Sequence, residues 1–204
     1  MSPEIRFLYS WFLDPLFALQ HAAAAPDAPY PSREATTERL HTFVRLWNEE
    51  GEMMKHAMQE SLGLSFFPNV VDVHVVGAGK RCFSSPVILV GTIPDESLVD
   101  VLTHELLHLL LNDNTVRLDL RAVHETMFPG LETPTRNHVL VHAAHRAIYL
   151  DTLHDPARLE RNKLRDADSP AYMDAWRIVE ERGHADILEE LRTYYQKSGF
   201  TLAS

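Results

Sequence analysis

The residues of this chain best suited to chemistry are histidines. The chain has 204 residues and twelve histidines, and seven of these lie between positions 104 and 154. Within that stretch, His104 and His108 flank Glu105 in the pattern H-E-x-x-H. Residues four apart on an α-helix lie one turn apart on the same face, so both imidazoles can point at one metal ion. Glu105 lies about 100° round the helix from His104, where its carboxylate can take a proton from a water activated by that ion.

The segment around this pattern predicts a buried helix. It is rich in leucine and valine, it starts near Thr92-Ile93-Pro94-Asp95 with Thr92 as the predicted cap, and it runs to about Leu111. Two imidazoles and a carboxylate are costly to bury unless they are hydrogen-bonded or bind an ion. The apolar setting therefore favours a metal site over incidental histidines.

Two histidines leave a catalytic zinc site one protein ligand short, because such sites usually have three. The next predicted helix, from Thr135 to Leu153, carries a stripe of polar residues at helical spacing. Its members are His138, His142, His145 and Tyr149. Two such helices can pack side by side, so we expect at least one of these histidines to complete the metal site. Weaker candidates are Thr135, Glu132 and Glu125.

The remaining segments predict an α+β fold that is mostly helical. We expect a docked amphipathic helix in the apolar run Phe7 to Leu13, a long helix from Ser32 to Ser61, and two or three charged helices after Asp155. The valine-rich segment Phe66–Val76 and the segment Pro86–Val90 predict two strands, which we expect to pair antiparallel across a glycine-containing turn. The stretch between residues 113 and 134 is predicted as a long connection, because it contains Pro129-Gly130 and Pro134.

The length fits a single domain, residues 1–204. We divide it into N-terminal helices (1–64), a core with the strands and the two histidine-bearing helices (65–153), and a C-terminal helical annex (154–204). Apolar residues make up 45%, charged residues 24%, and the net charge is −10. This balance argues against disorder, nucleic-acid binding and an anionic membrane surface. One cysteine excludes a disulfide framework, and no apolar run is long enough to span a bilayer. We therefore expect a cytoplasmic protein.

The H-E-x-x-H helix and the histidine-bearing helix that follows resemble the zincin metallopeptidases over about residues 70 to 153. In the gluzincin branch of that superfamily, the third zinc ligand is a glutamate on a second helix, often preceded by asparagine, with an aspartate four residues later. The pair Asn137-His138, with His142 four residues on, is similar to that arrangement with histidine in place of both acids. The resemblance implies that zinc is held by His104, His108 and His138, with His142 beside them. His142 as the third ligand remains the alternative.

A zincin-like fold would place a small antiparallel-containing sheet against the active-site helix. It would also make Val87–Val90 the edge strand on which an extended peptide pairs.

Peptide deformylases offer a second resemblance. They carry a cysteine ligand upstream of their H-E-x-x-H helix, and Cys82 lies upstream here. The spacing from Cys82 to His104 is short and the glycine-rich deformylase motif is absent. The chain therefore matches fewer features of the deformylase pattern than of the zincin pattern.

These observations together predict a zinc-dependent peptidase that acts on a peptide or protein, with Glu105 as general base. One alternative is a zincin-like metal-binding protein with a sensing or regulatory role and no peptidase activity. Another is a helical interaction protein whose histidines bind no metal.

Overall fold

The computed structural model describes residues 2–116 and 119–197. It is mostly helical, with one small mixed sheet, in agreement with the predicted α+β class. The elements in chain order are β1 (Glu4–Tyr9), α1 (Asp14–Ala24), α2 (Arg33–Leu62), β2 (Val70–Val76), β3 (Phe83–Ser84), β4 (Val87–Val90), α3 (Asp95–Asp113), α4 (Leu120–Met127), α5 (Thr133–Ala147), α6 (Pro156–Arg165), α7 (Pro170–Arg182) and α8 (His184–Lys197). A 3₁₀ turn, Asn114–Val116, follows α3, and a π-helical turn, Ile148–Thr152, follows α5.

The chain separates into two compact units. The first comprises the described residues within Met1–Met53 and Pro68–Leu109, and the second those within Met54–Phe67 and Leu110–Ser204. The long helices α2 and α3 each contribute residues to both. The single-domain organisation in three segments stays a prediction.

The sheet lies in the first unit and has the strand order β1-β2-β4-β3. Strand β2 pairs parallel with both β1 and β4, whereas β3 pairs antiparallel with β4. The expected antiparallel pairing of the two valine-rich strands is therefore wrong. The reason is the two-residue strand β3, which is too short to give a sequence signal. The chain leaves β2, forms β3, and returns through Ser85-Pro86 as β4, so that β4 lies beside β2 in the same direction.

The N-terminal apolar run is also not the helix that was expected. Residues Glu4–Tyr9 form the edge strand β1, in register with β2. Arg6 lies opposite Asp72 in that register and donates to both carboxylate oxygens, at 2.7 and 3.0 Å. This cross-strand ion pair stabilises the register, and backbone pairing with β2 prevails over the helical tendency of the run.

Strand β4 is not the edge strand that the zincin resemblance implies. Val87 and Ile88 are paired on both sides, with β2 and with β3, so their backbone groups are already used. The edges of the sheet are β1 and β3. A peptide that added to this sheet as a further strand would have to pair with one of those two.

Helix α3 begins at Asp95, three residues later than its predicted cap, Thr92. The turn before it is held by Arg39 of α2, which donates to the carbonyl oxygens of Gly91 and Ile93 and to the Asp95 carboxylate. Asp95 and Glu96 in the first turn also complement the positive end of the helix dipole. The sequence-based end of α3 is accurate to two residues, since the helix runs to Asp113.

The second unit is a helical assembly in which α5 packs on α7 and α8. Its core includes the fully buried side chains of Trp176, Leu191 and Tyr195. The predicted long connection between residues 113 and 134 contains the helix α4, capped by the Asp119 carboxylate on the backbone N–H of Ala122. Two or three charged helices were expected after Asp155, and the described residues there form α6, α7 and α8. The last seven residues of the predicted annex lie outside the described residues.

Candidate metal centre

Helix α3 presents the two histidines of the H-E-x-x-H pattern on one side. The rings of His104 and His108 lie edge to face with their centroids 4.9 Å apart. His104 is buried, whereas His108 and Glu105 are partly exposed. Leu102, Leu106 and Leu107 of the same helix are fully buried. The i, i+4 spacing thus produces the convergence of two imidazoles that helix geometry predicts.

Helix α5 presents His138 with one ring nitrogen already engaged. Its Nδ1 lies 2.6 Å from the carbonyl oxygen of Pro134, one turn earlier in the same helix. Because a carbonyl only accepts, Nδ1 must carry the proton and Nε2 keeps its lone pair. Burial lowers the pKa of His138, which is 9% exposed, and the hydrogen bond to Pro134 opposes that shift. The ring is therefore held in the neutral form and in the tautomer that can bind a metal through Nε2.

Together, His104, His108 and His138 each offer a ligand atom, and these three atoms all lie within 4.8 Å of one another. Among the residues that the structure describes, these three form the one group of potential metal ligands whose donor atoms lie this close together. It contains the two histidines of the pattern and one histidine from the stripe on α5.

His142, the alternative third ligand, lies outside this group. It is fully buried, and its ring stacks on the indole of Trp176 with centroids 4.1 Å apart and planes 10° apart. Its Nε2 lies 3.6 Å from a carboxylate oxygen of Asp166, and the same oxygen accepts a hydrogen bond from the Trp176 indole N–H at 2.9 Å. Burial raises the pKa of Asp166, opposed by Arg165 and by the Trp176 hydrogen bond. His142 is thus part of the contact between α5 and α7.

The other histidine of the α5 stripe belongs to a second buried cluster. His145 Nδ1 lies 3.1 Å from the hydroxyl of Tyr149, and that hydroxyl accepts from Asn162 Nδ2 at 3.4 Å. The rings of His145 and Tyr149 are fully buried and stack on each other. The Tyr149 hydroxyl is therefore engaged with α6.

Two further histidines occupy unrelated positions. His124 is buried on α4, and burial together with the nearby Arg136 lowers its pKa to about 4. His154 is exposed, has a left-handed backbone with φ of 52°, and donates through Nδ1 to the Leu150 carbonyl.

The remaining candidate ligands also lie outside the histidine group. Cys82, the single cysteine of the chain, is partly exposed and lies just before β3. Glu125 is exposed and accepts from Arg121 Nε at 2.9 Å, and Glu132 is the exposed residue preceding α5. Thr135 is buried in the first turn of α5.

Sequence reasoning missed two groups that surround His138. One is the Pro134 carbonyl, which lies one helical turn before His138 on α5. The four-residue spacing of the two residues is the sequence signal that could have indicated this contact. The other is Tyr172 of α7, whose ring lies against His138 with centroids 3.9 Å apart. No sequence signal points to Tyr172, because its position depends on how α7 packs on α5.

Comparison of the chain with family models, with curated proteins and with solved structures gave no match. The described helices include none with the length and apolar character needed to cross a membrane. The chemistry of the candidate centre therefore has to be argued from its own residues.

Proposed function

We propose that this protein is a metal-dependent hydrolase of peptide bonds, with zinc held by His104, His108 and His138. The observation that carries the proposal is the convergence of three histidine ligand atoms within 4.8 Å, two of them from an H-E-x-x-H helix. Three protein ligands from imidazole side chains are a donor set typical of catalytic zinc, which keeps a further coordination position for water or substrate.

The residues fit such an ion on two further counts. The carbonyl of Pro134 fixes the tautomer of His138, as backbone carbonyls commonly do for metal-binding histidines. Burial also keeps His138 neutral, and only neutral imidazole has a lone pair to donate.

Glu105 is the residue proposed to handle the proton. When bound at such a site, zinc lowers the pKa of a water ligand to near 7 and polarises the substrate carbonyl. Glu105 follows His104 directly on α3 and is partly exposed, so its carboxylate can accept a proton from the attacking water and pass it to the leaving amine.

A zincin-like arrangement of the scaffold is part of the proposal. It is supported by a small mixed sheet whose strand β4 leads within a few residues into the H-E-x-x-H helix. A peptide or protein is the substrate class that this resemblance implies.

The first test is metal content. Elemental analysis of the purified protein should find about one zinc per chain, and a chelator should remove it and lower the melting temperature. If no transition metal is present in stoichiometric amount and the chelator leaves melting unchanged, the helical interaction protein is the better description.

The second test is turnover. The wild-type protein should cleave members of a diverse peptide library, and Glu105→Gln should lower the rate by about 100-fold or more while zinc stays bound. Glu125→Gln is the matched control, because it removes an exposed carboxylate outside the histidine group and should leave the rate unchanged. Zinc binding without cleavage by the wild-type protein would favour the sensing or regulatory alternative.

A further inference from the structure

A cavity lies in the sheet-bearing unit, on helix α1. Its volume is about 580 Å³, within the range of small-molecule sites. Part of the lining comes from α1 through Phe17, Ala23 and Ala24, and part comes from Phe83 and the segment 79–81. None of these residues belongs to the candidate metal centre.

The apolar part of the cavity is built from two aromatic rings. Phe17 is buried and meets Phe83 edge to face, with centroids 6.2 Å apart. Gly79 lets the backbone approach them: a Cβ there would lie 2.9 Å from both the Phe17 ring and a Val90 methyl. The rings and the alanine methyl groups form a surface on which an alkyl chain or an aromatic ring can be buried.

The charged part of the cavity is entirely basic. Its titratable lining residues are His21, Lys80 and Arg81, and the described residues contribute no carboxylate to the lining. Arg81 lies over the Phe83 ring at 5.1 Å, and neither Lys80 nor Arg81 pairs with a carboxylate in the described part of the chain. In a chain of net charge −10, the adjacent cations Lys80 and Arg81 beside an apolar cavity are complementary to an anion.

We propose that this cavity binds a small carboxylate with an apolar body. The alkyl or aromatic part lies against the Phe17 and Phe83 rings, and the carboxylate is held by Lys80 and Arg81 through charge-assisted hydrogen bonds. This site is independent of the metal centre and goes beyond the proposed hydrolysis.

The test compares three probes that share a chain of ten carbons and differ in the charge of the head group: decanoate, decanol and decyltrimethylammonium. Binding is followed by calorimetry and by amide chemical shifts of the ¹⁵N-labelled protein. We expect decanoate to bind at least about tenfold more tightly than either other probe, with shifts concentrated at Gln20–Ala24 and Gly79–Phe83. Equal binding of the three probes, or shifts centred elsewhere, would overturn the proposal.

Substitutions in the lining test the basic side chains and the apolar space separately. The double variant Lys80→Gln/Arg81→Gln changes two exposed side chains and should weaken decanoate binding about tenfold or more, whereas Arg161→Gln, an exposed charge on α6, should not. Ala24→Trp should fill the cavity and abolish binding. An unchanged affinity of the double variant would refute the site, even if the tryptophan variant failed to fold.

Chelator-treated protein provides the last control. We expect it to bind decanoate with the same affinity as untreated protein. A loss of binding on chelation would mean that the carboxylate coordinates the metal, and it would refute the cavity proposal while supporting the metal centre.

Discussion

Helices α3 and α5 both carry a pair of histidines four residues apart, but the two pairs have different surroundings. On α3 the rings of His104 and His108 lie 4.9 Å apart and belong to one group of ligand atoms. On α5 the rings of His138 and His142 lie 5.6 Å apart, and only His138 belongs to that group, because His142 is stacked on Trp176. An i, i+4 spacing therefore brings two histidines to one face, but the neighbouring helix decides whether both are available to an ion.

The largest effect should come from removing one member of the histidine group. We expect His138→Ala to weaken zinc binding by on the order of 3 kcal/mol, or more than 100-fold, as expected for one of a few protein ligands. The measurement is competition with a chromophoric chelator, with His142→Ala as the matched variant on the same helix. If His142→Ala loses the metal and His138→Ala retains it, the assignment of the third ligand is reversed.

The same His142→Ala variant should lower the stability of the fold. Removing a fully buried ring stacked on Trp176 leaves a cavity, which we expect to lower the free energy of unfolding by about 3 kcal/mol. Urea denaturation of the metal-free proteins measures it, so that metal linkage does not contribute. A loss below about 1 kcal/mol would show that the stack does not stabilise the contact between α5 and α7.

His124 of α4 is buried outside the histidine group, and it should make the free energy of unfolding depend on pH. Its folded-state pKa of about 4 lies below the unfolded value of about 6.5, so the folded state resists protonation. The stability contributed is fully present above pH 6.5 and is lost as the pH falls toward 4, by on the order of 3 kcal/mol. Denaturation of wild type and His124→Leu between pH 4 and 7.5 should give a smaller decrease for the variant; parallel curves would contradict the assignment.

The smallest effect should come from Tyr172, which contacts His138 by its ring face. We expect Tyr172→Ala to weaken zinc binding by about tenfold, since supporting residues of metal ligands typically contribute that much or more. Tyr172→Phe keeps the ring and should bind zinc as wild type does. Chelator competition on both variants separates ring packing from a role of the hydroxyl group, and equal weakening in both would assign the effect to the hydroxyl.

Much of the helical structure could be predicted from local patterns. The long helix α2 and the buried helix α3 were predicted to within a few residues, because their hydrophobic spacing and end signals are local. The strand β1 and the parallel pairing of β2 with β4 could not be predicted in this way. Both depend on partners distant in sequence, and the two-residue strand β3 is too short to give a periodic signal.

The sequence by itself determined that His104 and His108 share a face of one helix, with Glu105 beside them, because helix geometry fixes side-chain direction from spacing alone. The sequence also indicated that the third metal ligand belongs to the histidine stripe on α5. Only the tertiary structure distinguished the members of that stripe. Packing of α7 engages His142 through Trp176 and Asp166, whereas the ligand atom of His138 lies within 4.8 Å of those of His104 and His108. The physical reason is that spacing specifies a face of a helix, and contacts between elements specify what that face meets.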